Sequence, residues 1–282
     1  MKVPTPFPTP QALLKKHGFS AKKSWGQNYL TSEKVYRAIV DATVTDPNDW
    51  IVEIGAGLGT LTMRLAQRVP DGKVIAVEKE NDMLTVLKSE LEHLENVDIH
   101  SKNALHYSFS DIQNWCGQKI NVCGNLPYHI SSQILFRILD FEASIKRGVF
   151  MLQKEMADRV ISGPGNKTYG ALSVLIQAHA NTSSVINVEP GAFTPQPKVK
   201  SKVIALDFKT PPKDLDIKRF RTLVKLSFAT RRKTILNNLK DHYPKTKILE
   251  ALEALSIAST RRPETISVDE FITLSKTLPS NA

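Results

Sequence analysis

Trp50-Ile51-Val52-Glu53-Ile54-Gly55-Ala56-Gly57-Leu58-Gly59-Thr60 is the stretch on which the fold turns. Trp50 to Ile54 is a short apolar run with the composition of a buried strand. Alternating glycines follow, and then Leu61, Leu65 and Val69 recur at helical spacing. Strand, glycine turn and helix together form the opening unit of an α/β sheet.

The same alternation continues downstream. Lys73 to Val77 reads as a second strand ending at Glu78, and a helix runs from Asn81 to His93. Val97 to His100 and Ile120 to Cys123 are further strands, followed by a helix over Ser131 to Leu139 and a strand over Val149 to Leu152. Strands separated by helices imply right-handed crossovers, so the predicted fold is α/β, a mostly parallel, doubly wound Rossmann-like sheet. Ser184 to Val188 and Lys202 to Phe208 are two more strands. The loop between them is too short for a crossover helix, and antiparallel pairing is expected.

Upstream, residues 1 to 8 read as an extended arm. Thr9-Pro10 starts a helix carrying Leu13 and Leu14 that fades near Gly18. Lys22 to Leu30 reads as a loop. Ser32-Glu33 opens a helix with Val35, Ile39 and Val40 on one face. Thr210-Pro211-Pro212 marks the domain boundary. Beyond it helices are expected at Lys218 to Phe228, Thr230 to Lys240, Thr246 to Leu255 and Val268 to Leu278. The organisation is therefore a catalytic α/β domain over 1–210, with an N-terminal arm over 1–30, and a small all-helical domain over 211–282.

Composition narrows the function. Hydrophobic content of 41% and charged content of 23% are those of an ordinary globular chain. A net charge of +10 with a pI near 9.5 points to a polyanionic partner, with nucleic acid ahead of a membrane surface. No apolar run approaches the ~18 residues that span a bilayer, and Met1 to Pro10 lacks the apolar core of a signal peptide. Cys116 and Cys123 match no disulfide framework or zinc spacing, and no histidine pairs with a carboxylate at ligand spacing. A cytoplasmic protein without a metal is expected. Lys198, Lys200 and Lys202 alternate along an extended segment, so all three are expected to point the same way. Arg219, Arg221 and Lys225, then Arg231, Arg232 and Lys233, then Arg261 and Arg262 concentrate charge beyond the boundary. Any one cluster is by default a solvated face; several together favour RNA, with contacts that give orientation and salt-dependent affinity.

The glycine turn indicates a cofactor. Its spacing is Gly-x-Gly-x-Gly, not the Gly-x-Gly-x-x-Gly of dinucleotide enzymes, and Glu53 precedes it. Glu78 ends the next strand, where an acid can accept from ribose hydroxyls. Gly55 with Glu78 favours S-adenosylmethionine over NAD. Asn103, past the third strand, is a candidate contact for the adenine ring, with a solvated loop amide as the alternative.

Asn125-Leu126-Pro127-Tyr128 ends the fourth strand with an amide, a pinned backbone and a flat ring. Those groups suit the holding of a planar exocyclic amine, although a strand followed by a proline turn would read the same way.

With these motifs in hand, the chain resembles the ribosomal RNA adenine N6-dimethyltransferases, and among them the bacterial small-subunit (16S) enzymes. The likeness includes Lys23-Ser24-Trp25-Gly26-Gln27-Asn28-Tyr29-Leu30, the glycine turn, Asn125 to Tyr128 and Tyr169-Gly170-Ala171-Leu172-Ser173-Val174. It continues through Phe193-Thr194-Pro195-Gln196-Pro197-Lys198-Val199 to Phe228-Ala229-Thr230-Arg231-Arg232-Lys233. The resemblance implies dimethylation of N6 on two adjacent adenosines in a hairpin loop near the 3′ end of 16S rRNA, within the small ribosomal subunit. It also implies that Asn28, Leu30, Gly55, Glu78 and Asn125, with Asn103, line the cofactor site; the family usually has aspartate at the last position. Asn125 and the Leu126 carbonyl are then acceptors for the amine, and Pro127 fixes the turn that aims them. Tyr128 stacks on the flipped base, with Phe193 on its other face and Lys198, Arg231, Arg232 and Lys233 on the RNA. A monomer is expected. The alternatives are a large-subunit (23S) adenine methyltransferase of the macrolide-resistance type and a protein acting mainly as a ribosome-assembly factor.

Overall fold

The computed structural model describes residues 7–21, 27–210, 212 and 214–279. The expectations for residues 1–6, Lys22 to Gly26 and Pro211 lie outside the described residues. In chain order the elements are α1 (Pro10–Lys16), β1 (Tyr29–Leu30), α2 (Glu33–Thr43), β2 (Trp50–Ile54), α3 (Thr60–Arg68), β3 (Lys73–Glu78) and α4 (Asn81–Leu91). There follow β4 (Val97–Ser101), α5 (Phe109–Cys116), β5 (Ile120–Asn125), α6 (Ser131–Leu139), β6 (Ile145–Gln153), α7 (Lys154–Ile161) and α8 (Ala171–His179). β7 (Ala180–Val188), β8 (Phe193–Thr194), β9 (Ser201–Phe208), α9 (Ile217–Ser227), α10 (Ile235–Leu239), α11 (Lys245–Ala254) and α12 (Val268–Thr277) complete the chain.

Two compact units emerge: Met1–Ala157 with Ser183–Phe208, and Asp158–Thr182 with Lys209–Ala282. The second thus takes in a segment that the sequence alone groups with residues 1–210. The first unit holds a seven-stranded sheet in the order β4-β3-β2-β5-β6-β9-β7. β2 runs parallel to both β3 and β5, β4 is parallel to β3, and β6 is parallel to β5, whereas β9 is antiparallel to β6. Strand order reverses beside β2, with β3 and β4 on one side and β5 and β6 on the other. The crevice past the carboxyl ends of β2 and β5 is therefore the switch point, where open α/β sheets bind ligands.

The central strands read as unbroken apolar runs because both of their faces are covered. Ile51 and Val52 point to opposite sides of β2, and both are fully buried. Thr9 caps α1 by accepting from the Ala12 N–H at 3.2 Å. Leu13 and Leu14 of α1 pack on Leu58 of the glycine turn and on Met83 and Val86 of α4, each burial contributing about 1.5–3 kcal/mol. On the opposite end of the sheet, Asp49 ties the loop after α2 to β5. Its Oδ2 accepts from the Thr45 N–H, the Thr45 hydroxyl, the Asp46 N–H and Asn121 Nδ2, at 2.6 to 2.9 Å.

In the second unit α8 contacts α9 and α12. Its sequence, Ala-Leu-Ser-Val-Leu-Ile-Gln-Ala-His, is apolar nearly all round, as a helix buried on most sides must be. Tyr169 stands edge-on to Phe228, Phe228 meets Phe271, and the Tyr169 hydroxyl donates to the Ile266 carbonyl at 3.0 Å.

Two expectations need correction here. The helix expected from Thr230 begins only at Ile235, because Asn238 takes both backbone groups of Thr230 at 3.1 Å and Thr234 becomes the N-cap. Arg231, Arg232 and Lys233 therefore lie in an exposed turn between helices. The three alternating lysines do not share a face either. Lys198 and Lys200 are exposed and precede β9, while Lys202 lies within it and is 8% exposed.

Candidate functional site

At the switch point a cavity of about 830 Å³ opens, lined by the glycine turn, the end of β3, the β4–α5 loop and Asn125 to Ile130. That is within the ~300–1,000 Å³ of small-molecule sites. The glycine turn lies beside β3 because the Gly55 and Ala56 N–H groups both donate to the Val77 carbonyl, at 2.9 and 3.2 Å. Gly55, Gly57 and Gly59 all have positive φ, between 56° and 75°. This conformation needs glycine and leaves main chain facing the cavity without a side chain in the way.

Glu78 is 9% exposed and held by backbone donors. Its Oε1 accepts from the Lys79 and Glu80 N–H groups at 2.6 and 2.9 Å, and its Oε2 from the Gly57 N–H at 2.9 Å. A carboxylate has about four acceptor positions. One therefore remains for a ribose hydroxyl, and accepting both hydroxyls requires sharing a position or displacing a backbone donor. Glu53 also lines the cavity, 3% exposed, with the Thr62 hydroxyl 2.5 Å from its Oε2. Burial pushes its pKa up to about 8, against the Thr62 hydrogen bond and with added repulsion from Glu78.

Asn103 also lines the cavity and caps the short 3-10 turn at Ala104–His106, its Oδ1 accepting from the Leu105 N–H at 3.0 Å. An amide oxygen has two lone pairs, so one is still open to a purine amine. Asn is as good an N-cap as Asp, so either residue could cap this turn.

Asn125 ends β5. Gly124 lets it reach the glycine turn, since a Cβ there would lie 2.5 Å from the Ile54 carbonyl oxygen of β2. Asn125 Nδ2 donates to the Asn28 carbonyl at 3.2 Å. That bond orients the amide and leaves its oxygen as the acceptor at the cavity wall. The Leu126 N–H is tied to the Met151 carbonyl at 3.1 Å, and the Pro127 carbonyl accepts from the Ile130 N–H at 3.2 Å, closing the turn into α6. The Tyr128 hydroxyl meets Ser201 Oγ at 2.8 Å, holding a half-buried ring along the cavity. Burial raises its phenol pKa, partly offset by Ser201.

Asn28, Leu30, Gly55, Glu78, Asn103, Asn125, Leu126, Pro127 and Tyr128 are thus brought to one cavity. Phe193 is not. It pairs with Leu30 across the β1–β8 ladder, is 3% exposed, and packs in the core with Val188 and Met151, so its ring has no face for a base. Lys198, Arg231, Arg232 and Lys233 are exposed and do not line the cavity. Tyr29, not singled out from sequence, does line it; its hydroxyl reaches Met83 Sδ at 3.3 Å, and burial raises its pKa to about 12. Its place between Asn28 and Leu30 was the available signal. Tyr36 fixes the same strand, donating to the Leu30 carbonyl at 2.6 Å.

Among the described residues no group of His, Cys, Asp and Glu is arranged to hold a metal ion, and no helix is long and apolar enough to cross a membrane.

Residues 18–279 match the family described as ribosomal RNA adenine dimethylase. The "Ribosomal RNA small subunit methyltransferase A" of Myxococcus xanthus is 40% identical over 275 residues, covering 96% of this chain and 95% of the relative. The protein of the same name from Alkaliphilus metalliredigens is 37% identical over 283 residues, covering 98% and 97%. Among solved structures, a dimethyladenosine transferase from Plasmodium falciparum superposes with a TM-score of 0.73 at 25% identity, covering 87% of this chain and 95% of the other. The 23S rRNA methyltransferase ErmE does so with a TM-score of 0.70 at 22% identity, covering 89% and 99%, a likeness of fold.

Proposed function

The chain belongs to the ribosomal RNA adenine dimethylase family, an rRNA methyltransferase by descent, and on that premise we propose how its residues do the work. The substrate is 16S rRNA in the small ribosomal subunit, at two adjacent adenosines in a hairpin loop near the 3′ end. The cofactor is S-adenosylmethionine, which when bound supplies an electrophilic methyl group on a sulfonium. The fit rests on what the cavity holds: main chain bared by glycine, a pre-oriented carboxylate at Glu78 for ribose, and an amide at Asn103 for adenine.

The observation that carries the reading is the orientation of Asn125. Its nitrogen is spent on Asn28, so its oxygen can accept from an adenine N6–H, with the Leu126 carbonyl as second acceptor. Two acceptors draw the nitrogen lone pair out of conjugation and aim it at the methyl group, so positioning does most of the catalytic work. Tyr128 stacks on the base, a contact worth about 1–3 kcal/mol. With Phe193 in the core, that stacking is one-sided. The methylated ammonium is acidic enough to lose its proton to water, so no strong side-chain base is required.

The test is methyl incorporation into undermethylated small subunits compared with large subunits, with the modified nucleotides mapped, for wild type and Asn125→Ala. Dimethyladenosine is expected in small subunits with wild type alone. Methylation of large subunits would instead support the 23S alternative. Small-subunit maturation restored by Asn125→Ala would show that binding, and not transfer, is the main role.

A further inference from the structure

Asn103 sits on a short excursion that leaves β4 after Ser101 and re-enters helix at Phe109. Its front is fixed where the Lys102 N–H donates to the Glu78 carbonyl at 2.9 Å. Its rear returns with Tyr107, whose hydroxyl meets Nδ1 of His100 at 2.7 Å. This bond joins a residue before the excursion to one near its end and so closes the loop across its base. Tyr107 is 6% exposed and stands edge-on to Phe109 at 5.4 Å; Phe109 meets Phe141 at the same distance. A phenylalanine would fill that space equally well, so the hydroxyl does something that packing does not require. Burial favours the neutral form of both partners. It lowers the pKa of His100 and raises that of Tyr107, and the imidazole tautomer sets which of the two donates.

We propose that the His100–Tyr107 hydrogen bond is a positioning pair for the cofactor's adenine. It holds Asn103 and Ala104 at the cavity wall and thereby sets cofactor affinity without touching the ligand. The proposal rests on the reading of Asn103 as an adenine contact. Register supports it. His100 pairs with Val77 and Ser101 with Glu78 across β3 and β4, so the loop that meets the base is fixed to the strand pair that presents the ribose acid. The distance between the two subsites is thereby set by backbone and by one side-chain bond.

Calorimetric affinity for S-adenosylhomocysteine tests this in wild type, Asn103→Ala, Tyr107→Phe and the double variant, with thermal melts confirming the fold. Each single change is expected to weaken Kd by about threefold to tenfold, the effect of one hydrogen bond. The double variant is expected to bind no worse than Asn103→Ala, since both act through one contact. In methyl transfer, Tyr107→Phe should raise the KM for cofactor and keep kcat at saturation. His100→Asn, which retains an acceptor near the Nδ1 position, should bind close to wild type, whereas His100→Leu should match Tyr107→Phe. That pair makes the same comparison should Tyr107→Phe not fold. Effects that multiply in the double variant would overturn the proposal and mark a general loosening of the unit. A wild-type Kd for Tyr107→Phe beside a weakened Asn103→Ala would reject the positioning role alone. An unchanged Kd for Asn103→Ala would reject the adenine placement and the proposal with it.

Discussion

In the larger unit 21 Lys and Arg stand against 19 Asp and Glu, and the cavity is lined by three acids, Glu53, Glu78 and Glu80, with Lys79 and Lys102 beside them; of the five only Glu53 and Glu78 are buried. In the smaller unit 17 Lys and Arg stand against 9 Asp and Glu, a net +8 in far fewer residues. The ligands proposed for this chain have opposite charge: a sulfonium-bearing amino acid nucleoside and a polyribonucleotide. Acids close to the glycine turn suit the first, and a surplus of cations suits the second. A single basic surface would serve both poorly, because cations that gather phosphate repel a sulfonium. Separation by unit predicts that a substitution in one leaves the other's ligand unaffected, and each experiment below tries to break that independence.

The largest effect is expected at Asn125. Asn125→Ala removes the acceptor that aligns the amine, and methyl transfer should fall by about 100-fold or more, the scale of a misplaced reacting group. Equilibrium binding of S-adenosylhomocysteine should stay within a few-fold of wild type, and RNA binding should not change. Transfer at the wild-type rate would remove Asn125 from the mechanism. Glu78→Ala comes next. It deletes a carboxylate that accepts from three backbone N–H groups, so cofactor Kd should rise by about 10–100-fold, as for charge-assisted hydrogen bonds. Because Gly57 loses its anchor, the glycine turn should also gain hydrogen-exchange rate. An RNA affinity that fell in parallel would contradict the separation.

The third test is made in the smaller unit. Replacing Arg231, Arg232 and Lys233 with alanine should weaken binding to small-subunit RNA. The slope of log affinity against log salt should become shallower by about 0.7–0.9 for each phosphate that is no longer neutralised. Cofactor Kd should be unmoved. An unchanged salt slope would show that this turn meets no phosphate.

The sheet was legible in sequence because parallel strands covered on both faces are written as continuous β-branched runs, as Ile51-Val52 and Val74-Ile75 show. The cavity was legible where a residue type has one job: glycines at positive φ, an acid closing a strand, an amide before proline. What escaped was set by tertiary partners. Ala171–His179 is too uniformly apolar to show a helical period, and only its place against α9 and α12 explains it. Phe193 looked like a stacking ring until the β1–β8 ladder set it opposite Leu30 and turned it into the core. The turn at Arg231 to Lys233 depends on an amide, Asn238, eight residues from Thr230 in the chain, and neither propensity nor period carries that information.

The smallest effect bears on the charge balance itself, which counts Glu53 as ionised. Burial raises its pKa from the ordinary 4.5 to about 8, so at pH 7 the folded state holds a proton there that the unfolded chain has lost. The sign follows from linkage. A group with a raised native pKa lends stability that is complete below 4.5 and disappears as pH rises through 8. Between pH 7 and pH 8 this one residue should cost about 1 kcal/mol of unfolding free energy. Glu53→Gln keeps the neutral shape and has no proton to lose, so urea unfolding of the variant should show a flatter pH dependence over that interval and greater stability than wild type at pH 9. The same slope in both proteins would mean that Glu53 is ionised in the native state and adds a buried charge to the cavity wall. A flattened slope would mean that Glu53 carries no charge into the cavity at pH 7, and that the larger unit is one unit more positive than its composition suggests. The contrast between the two units would then narrow in net charge, and what distinguishes the cavity would be position, with Glu78 set by three backbone donors beside the glycine turn.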